Sequence, residues 1–173
     1  ETEITVLGLI FSAIAAATFF LGVGSFTLTF AASAMLLASG FFDALDGVMA
    51  RVSGGGTRFG SFLDSVFDRY GDGLVISAIA LGYLDRSLLG LPMAFWGLAA
   101  LLGSLLVSYV RAKGESLGVK MAGVGLAERP ERILMVTFLG FLGMPEVGVV
   151  LVAFASNLTA IHRFLYTAFR LRG

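Results

Sequence analysis

The 173-residue chain is 57% hydrophobic and only 14% charged, with a mean hydropathy of +0.92. Soluble domains carry about one-quarter charged residues, so an ordinary water-soluble enzyme is excluded and an integral membrane protein is indicated. Twelve basic and twelve acidic residues leave no net charge, so nothing in the bulk electrostatics attracts nucleic acid. Cysteine is absent and His162 is the single histidine. Any metal is therefore expected on oxygen ligands, which suits Mg²⁺, Mn²⁺ or Ca²⁺.

Apolar runs of about 20 residues can cross a bilayer as helices. Glycine, proline and charge divide the chain into six: 4–23, 27–51, 58–84, 91–113, 130–143 and 147–170. The expected fold is all-α, a polytopic membrane protein with six transmembrane helices forming a single domain over 1–173. The first segment opens with Glu1 and Glu3, lacks a basic leader and is followed by further spans, so it reads as a membrane helix rather than a cleaved signal peptide. GVGS at 22–25 turns the chain into the second segment, which carries Asp43 and Asp46. A Gly-rich turn from Ser53 to Thr57 leads into the third, with Asp64 and Asp68. Residues 85–92 and a polar link from Gly114 to Arg129 flank the fourth. The fifth is short and extends through an amphipathic ERPERIL start, where Pro130 suits a first helical turn. GMPE at 143–146 precedes the sixth, in which Arg163 interrupts an apolar run.

With a cytoplasmic N-terminus, Arg51, Arg58, Arg111, Lys113, Lys120, Arg129, Arg132, Arg170 and Arg172 fall on the inner side. The outer loops keep only Arg86. This asymmetry is the positive-inside pattern, and it places the four aspartates near the cytoplasmic ends of their helices. The expected location is the cell membrane, multi-pass, with the active site facing the cytoplasm. Trp96, Tyr83 and Tyr166 suit interfacial belts. Asp72, three residues after Arg69, is expected to pair with it.

A carboxylate in hydrocarbon costs about 2.5–3.5 kcal/mol on insertion scales, so four of them must be neutralised. Asp43 and Asp46 are three apart and Asp64 and Asp68 four apart, so each pair projects from one helix face. A tight turn between the helices brings the faces together around one or two hard cations. Gly47 and Gly60 keep the cleft open, and Arg51 and Arg58 at its mouth suit phosphate. Solvated helix-end charges and a cation pathway are the alternatives. The second would make the chain a cation-coupled transporter, for which related halves are expected and none is visible.

The spacing D-x2-D-G-x2-A-R-x8-G-x3-D-x3-D, met by Asp43, Asp46, Gly47, Ala50, Arg51, Gly60, Asp64 and Asp68, resembles the signature of the CDP-alcohol phosphotransferases. The resemblance implies a six-span membrane enzyme, usually homodimeric, that moves a phosphatidyl-type group from a CDP-linked lipid to an alcohol and releases CMP. It implies Asp43, Asp46 and Asp64 as ligands of Mg²⁺ or Mn²⁺, and Asp68 as the general base that also shares in metal binding. Asp46, Gly47, Ala50, Arg51, Thr57 and Gly60 would line the nucleotide and diphosphate pocket. The runs SYVRAKGESLG and GLAERPERIL resemble the inositol-phosphate branch of the family. On that resemblance Ser108, Arg111, Arg129, Arg132 and Arg163 would hold the acceptor's phosphate. Glycerol phosphate is the rival acceptor. The implied partners are a CDP-linked lipid, a small phosphorylated alcohol, membrane lipids and a second copy of the chain.

Overall fold

The computed structural model describes residues 2–52 and 57–172. Among the described residues the chain forms α1 (Thr2–Leu21), α2 (Phe26–Val52), α3 (Arg58–Gly82), α4 (Met93–Ser116), α5 (Arg129–Phe141) and α6 (Pro145–Arg172). All six expected helices are present, with ends shifted by a few residues. Apart from Thr57, the expected Gly-rich turn at 53–57 lies outside the described residues. α1 packs against α2 and α3, α4 against α3 and α6, and α5 between α2 and α6.

The helices are built for an apolar solvent. α1 exposes Leu7, Ile10 and Ile14 on one stripe while burying Thr5, Ser12, Ala15, Ala16 and Phe19 on the other. Lipid solvates the aliphatic stripe, so the packed face is free to be small and polar. Helix contacts close through small residues: a methyl on Gly97 would stand 2.4 Å from the Ala80 Cβ, and one on Gly140 would stand 2.1 Å from the Ser33 Oγ. Short-range van der Waals packing of this kind is what holds membrane helices together.

Four helices, α1, α2, α4 and α6, contain stretches long and apolar enough to cross a membrane. α3 has the length, but Arg58, Asp64, Asp68, Arg69 and Asp72 crowd its first half. α5 has 13 residues, about 20 Å at 1.5 Å per residue, against a hydrocarbon core of about 30 Å. As expected, Pro130 stands in the first turn of α5.

At the end of the bundle far from the aspartates, 85–92 forms more than a polar turn. β1 (Ser87–Leu88) and β2 (Leu91–Pro92) pair antiparallel through a two-residue loop in which both Leu89 and Gly90 have positive φ, 53° and 76°, the twist that tight hairpins require. The ribbon holds an aromatic in place. Trp96 is buried and donates from Nε1 to the Leu88 carbonyl at 2.9 Å, and Tyr83 is buried in the same apolar core. Phe19, Ile79, Met93 and Val149 complete the tightly packed centre of this half.

Candidate active site

The antiparallel course of α2 and α3 brings the acidic pairs together. One oxygen from each of Asp43, Asp64 and Asp68 falls within 4.8 Å of the others. Thr57 caps α3, its Oγ1 accepting from the Gly60 N–H at 3.0 Å. That cap starts the helix one turn before Ser61 and Asp64, which fixes the phase at which the two α3 carboxylates emerge. Asp46 is the most buried of the four. Its Oδ2 accepts from the Thr5 hydroxyl at 2.6 Å, while its Oδ1 is buried with no hydrogen-bond partner among the described residues.

These carboxylates form one wall of a cavity of about 1130 Å³. Gly47, Gly60 and Ser61 continue the acidic wall, and a methyl added at Gly47 would meet nothing within 4 Å. The rest of the lining is largely apolar, with Leu37, Ala38 and Phe41 from α2 and Ile133 and Leu134 from α5. One chamber thus offers both oxygen ligands and hydrocarbon contact.

Arg129, on the first turn of α5, reaches into the acidic wall. Its guanidinium pairs with Asp43, with Asp68 Oδ1 at 2.7 Å and with Asp72 Oδ1 at 3.3 Å. The other Asp72 oxygen accepts from Arg132 at 2.7 Å. Asp72 therefore clamps two arginines of α5 and does not pair with Arg69, which bonds Asp68 Oδ2 at 3.1 Å instead. Asp72 follows Asp68 by four residues, so both point from one face of α3 toward α5.

The remaining expected site residues are dispersed. Ala50 and Arg51 fall in the last turns of α2, and their side chains lie outside the described residues. Of the five residues expected to hold the acceptor's phosphate, Arg129 lines the cavity and the other four are not among its walls. Arg132 is buried behind Arg129 and also donates to the Ala127 carbonyl at 3.1 Å. Ser108 bonds its own helix at the Ser104 carbonyl, and Arg111 pairs with Glu115 on the surface of α4. Arg163 is only 2% exposed. Its three nitrogens donate to the Val124 carbonyl, the Val107 carbonyl and Glu128 Oε1, at 2.7, 2.9 and 2.6 Å. Backbone carbonyls and one carboxylate satisfy this cation, so the cavity is not what solvates it. It pins the 117–128 link, whose Ala127 N–H is held by Thr159 as well, and thereby sets where α5 begins.

The donor chemistry fits a hard divalent cation. Three convergent carboxylates and a buried fourth, one of whose oxygens has no hydrogen-bond partner among the described residues, carry more negative charge than the two guanidiniums paired with them, Arg129 and Arg69, neutralise, and all the donor atoms are oxygen. An unsatisfied buried carboxylate oxygen is costly, and a cation relieves that cost.

Comparison with known proteins gives a consistent picture. The family model described as CDP-alcohol phosphatidyltransferase matches residues 2–161. The archaetidylinositol phosphate synthase of Methanothermobacter thermautotrophicus is 42% identical over 146 residues, covering 81% of this chain and 71% of that protein. Among solved structures, the phosphatidylinositol phosphate synthase of Mycobacterium tuberculosis with CDP-DAG bound superposes with a TM-score of 0.78 at 32% identity, covering 96% of this chain and 85% of that one. The same protein in complex with manganese and citrate gives 0.77 at 33%, covering 95% and 80%.

Proposed function

The chain belongs to the CDP-alcohol phosphatidyltransferase family, and we propose that it is the enzyme that joins inositol phosphate to a CDP-activated lipid, releasing CMP. The observation that carries this reading is the mixed lining of one cavity, which joins four carboxylates to a run of apolar side chains. A CDP-linked lipid has the same division, a charged diphosphate on a hydrocarbon body. The relatives named as archaetidylinositol phosphate synthase and phosphatidylinositol phosphate synthase support the choice of acceptor.

Asp43, Asp46 and Asp64 are the residues that would hold Mg²⁺ or Mn²⁺, with Asp68 sharing. A bound divalent cation neutralises the diphosphate and stabilises the departing CMP. The chain's own groups do the rest. Leu37, Phe41, Ile133 and Leu134 take the lipid body, and Gly47 and Gly60 leave room for the diphosphate, with Ala50, Arg51 and Thr57 at the nucleotide side. Asp68 accepts the proton of the acceptor hydroxyl as its oxygen bonds to the lipid-bearing phosphorus and the phosphorus–oxygen bond to CMP breaks. Arg129 meets the acceptor's phosphate directly. Arg132 backs it through their shared carboxylate, Asp72. Arg163 acts from behind, on the 117–128 link, while Ser108 and Arg111, expected at the acceptor's phosphate, lie outside the cavity lining.

The protein is multi-pass in a membrane. We place it in the cell membrane with the cavity facing the cytoplasm, as the basic residues near the aspartate end suggest. α3 and α5 complete six crossings of a single domain over 1–173, the short α5 sheltered between α2 and α6. Homodimer formation is carried over from the family resemblance. The test is to incubate purified protein with CDP-lipid, Mg²⁺ and radiolabelled inositol phosphate, glycerol phosphate, free inositol or serine. Labelled lipid and stoichiometric CMP are expected with inositol phosphate. Labelled lipid from glycerol phosphate alone would overturn the acceptor, and ion flux without CMP release would overturn the reaction.

A further inference from the structure

α1 contributes no carboxylate to the cluster, yet its buried face touches two of the four. We propose that Thr5 and Gly8 of α1 are positioning residues that set the geometry of Asp46 and Asp43 for cation binding. This inference rests on the metal reading above and extends it to a helix whose sequence shows no sign of a site.

Thr5, Gly8 and Ser12 lie at i, i+3 and i+7, on one stripe of the helix. Thr5 is 4% exposed, and its hydroxyl donates to Asp46 Oδ2 at 2.6 Å. The bond occupies one carboxylate oxygen and fixes the side chain of a residue that lines the cavity, leaving the buried Oδ1 as the oxygen with no hydrogen-bond partner among the described residues. A neutral donor is suited to this task. A lysine or arginine in its place would cancel the charge that the cation needs, whereas a hydroxyl orients the carboxylate and leaves its charge intact. Ligand-orienting hydrogen bonds of this kind govern metal affinity nearly as much as the ligands do.

Gly8 acts by absence. A methyl on its Cα would stand 2.9 Å from Asp43 Oδ1, so any side chain there pushes Asp43 out of its present position. The depth of the stripe is locked one turn farther along. Ser39 Oγ donates to the Gly8 carbonyl at 2.9 Å, which uses its only hydrogen, so Ser12 is the donor in the 2.8 Å contact between the two hydroxyls. This relay ties α1 to α2 and holds Thr5 level with Asp46 and Gly8 level with Asp43.

The test is an Mn²⁺ titration of the full chain in detergent, read by electron paramagnetic resonance of the free ion, with thermal unfolding to confirm folding. Thr5→Val is expected to weaken Mn²⁺ binding at least tenfold, and Thr5→Ser to restore it to within about twofold of the unaltered protein. Gly8→Ala should weaken it by a similar factor. Thr18→Val, whose hydroxyl bonds its own helix at the Ile14 carbonyl, should change nothing. A folded Thr5→Val with unaltered affinity overturns the role of Thr5, and so does a Thr5→Ser as weak as Thr5→Val, because packing would then be the cause. Should Thr5→Val fail to fold, Gly8→Ala decides, and affinity within twofold of the unaltered protein overturns the proposal. No Mn²⁺ binding by the unaltered protein would overturn the metal reading itself, an outcome distinct from any of these.

Discussion

The two ends of the bundle solve opposite problems with the same helices. α3 shows the contrast along its own length. From Val75 to Tyr83 it buries a regular apolar face against Phe19, Met93 and Val149, and from Arg58 to Asp72 it presents charge to a cavity. Each end also has a buried carboxylate with an oxygen that has no hydrogen-bond partner among the described residues, Glu146 and Asp46. At the hairpin end Glu146 bonds Arg86 at 2.5 Å and lies outside the lining of that cavity. At the aspartate end four carboxylates gather around open volume. A charged group that membrane packing closes over is structural, and one left beside space is there for a ligand. The packed end holds the helices in register so that the open end can carry unfavourable charge.

The largest effect expected from breaking this division is at Asp68. Asp68→Asn keeps the size of the side chain but removes its capacity to take a proton. Turnover should fall by about two to four orders of magnitude, while CDP-lipid binding stays largely intact. CMP release and equilibrium binding of the CDP-lipid measure the two separately. A variant near full activity would contradict the assignment of Asp68 as base. Asp64→Asn should differ in kind, weakening metal-dependent CDP-lipid binding. Unchanged metal dependence there would contradict a ligand role.

A smaller effect sharpens the boundary between cavity and scaffold. Asp72→Asn strips the carboxylate that Arg129 and Arg132 share, while leaving the acidic wall itself intact. Hydrogen bonds to charged groups contribute about 1.5–3 kcal/mol. Losing their alignment should therefore raise the KM for inositol phosphate about tenfold or more, with the KM for CDP-lipid within about twofold. Steady-state kinetics with each substrate varied in turn gives both values. Equal rises would mean that the clamp supports the fold and not the acceptor site.

What could be read from sequence depended on the range of the interactions. The six helices and the convergence of Asp43, Asp64 and Asp68 follow from local periodicity and spacing, whereas Asp46, expected to converge with them, lies outside that cluster and bonds Thr5 of α1. Asp72 was misjudged because a neighbour three residues away is the default partner, and its actual partners lie 57 and 60 residues along the chain. Arg163 was misjudged for a related reason. A lone cation in an apolar helix implies polar surroundings but does not say whether these are a substrate cavity or the carbonyls of a loop. Trp96 is held at its Nε1 by a hairpin with Leu89 in an uncommon conformation, which its residue type does not advertise. Thr5 and Gly8 gave no signal, since hydroxyl and glycine in a membrane helix usually mean packing alone.

The smallest effect on chemistry is expected from the packed end, and it tests whether the two halves are separable. Gly97 of α4 meets α3 at Ala80, and an added methyl would stand 2.4 Å from the Ala80 Cβ. Neither side chain has a torsion that relieves the clash, so Gly97→Ala must move α4 away from α3. Overpacking of this kind typically costs about 1–3 kcal/mol, which an unfolding titration in denaturing detergent would register as a lowered midpoint. Turnover per folded molecule should stay within about twofold, because neither Gly97 nor Ala80 lines the cavity. A collapse in turnover at unchanged stability would mean that the position of α4 is transmitted to the carboxylates. α3 would then have to be treated as one rigid lever, and not as a packed half joined to an open one.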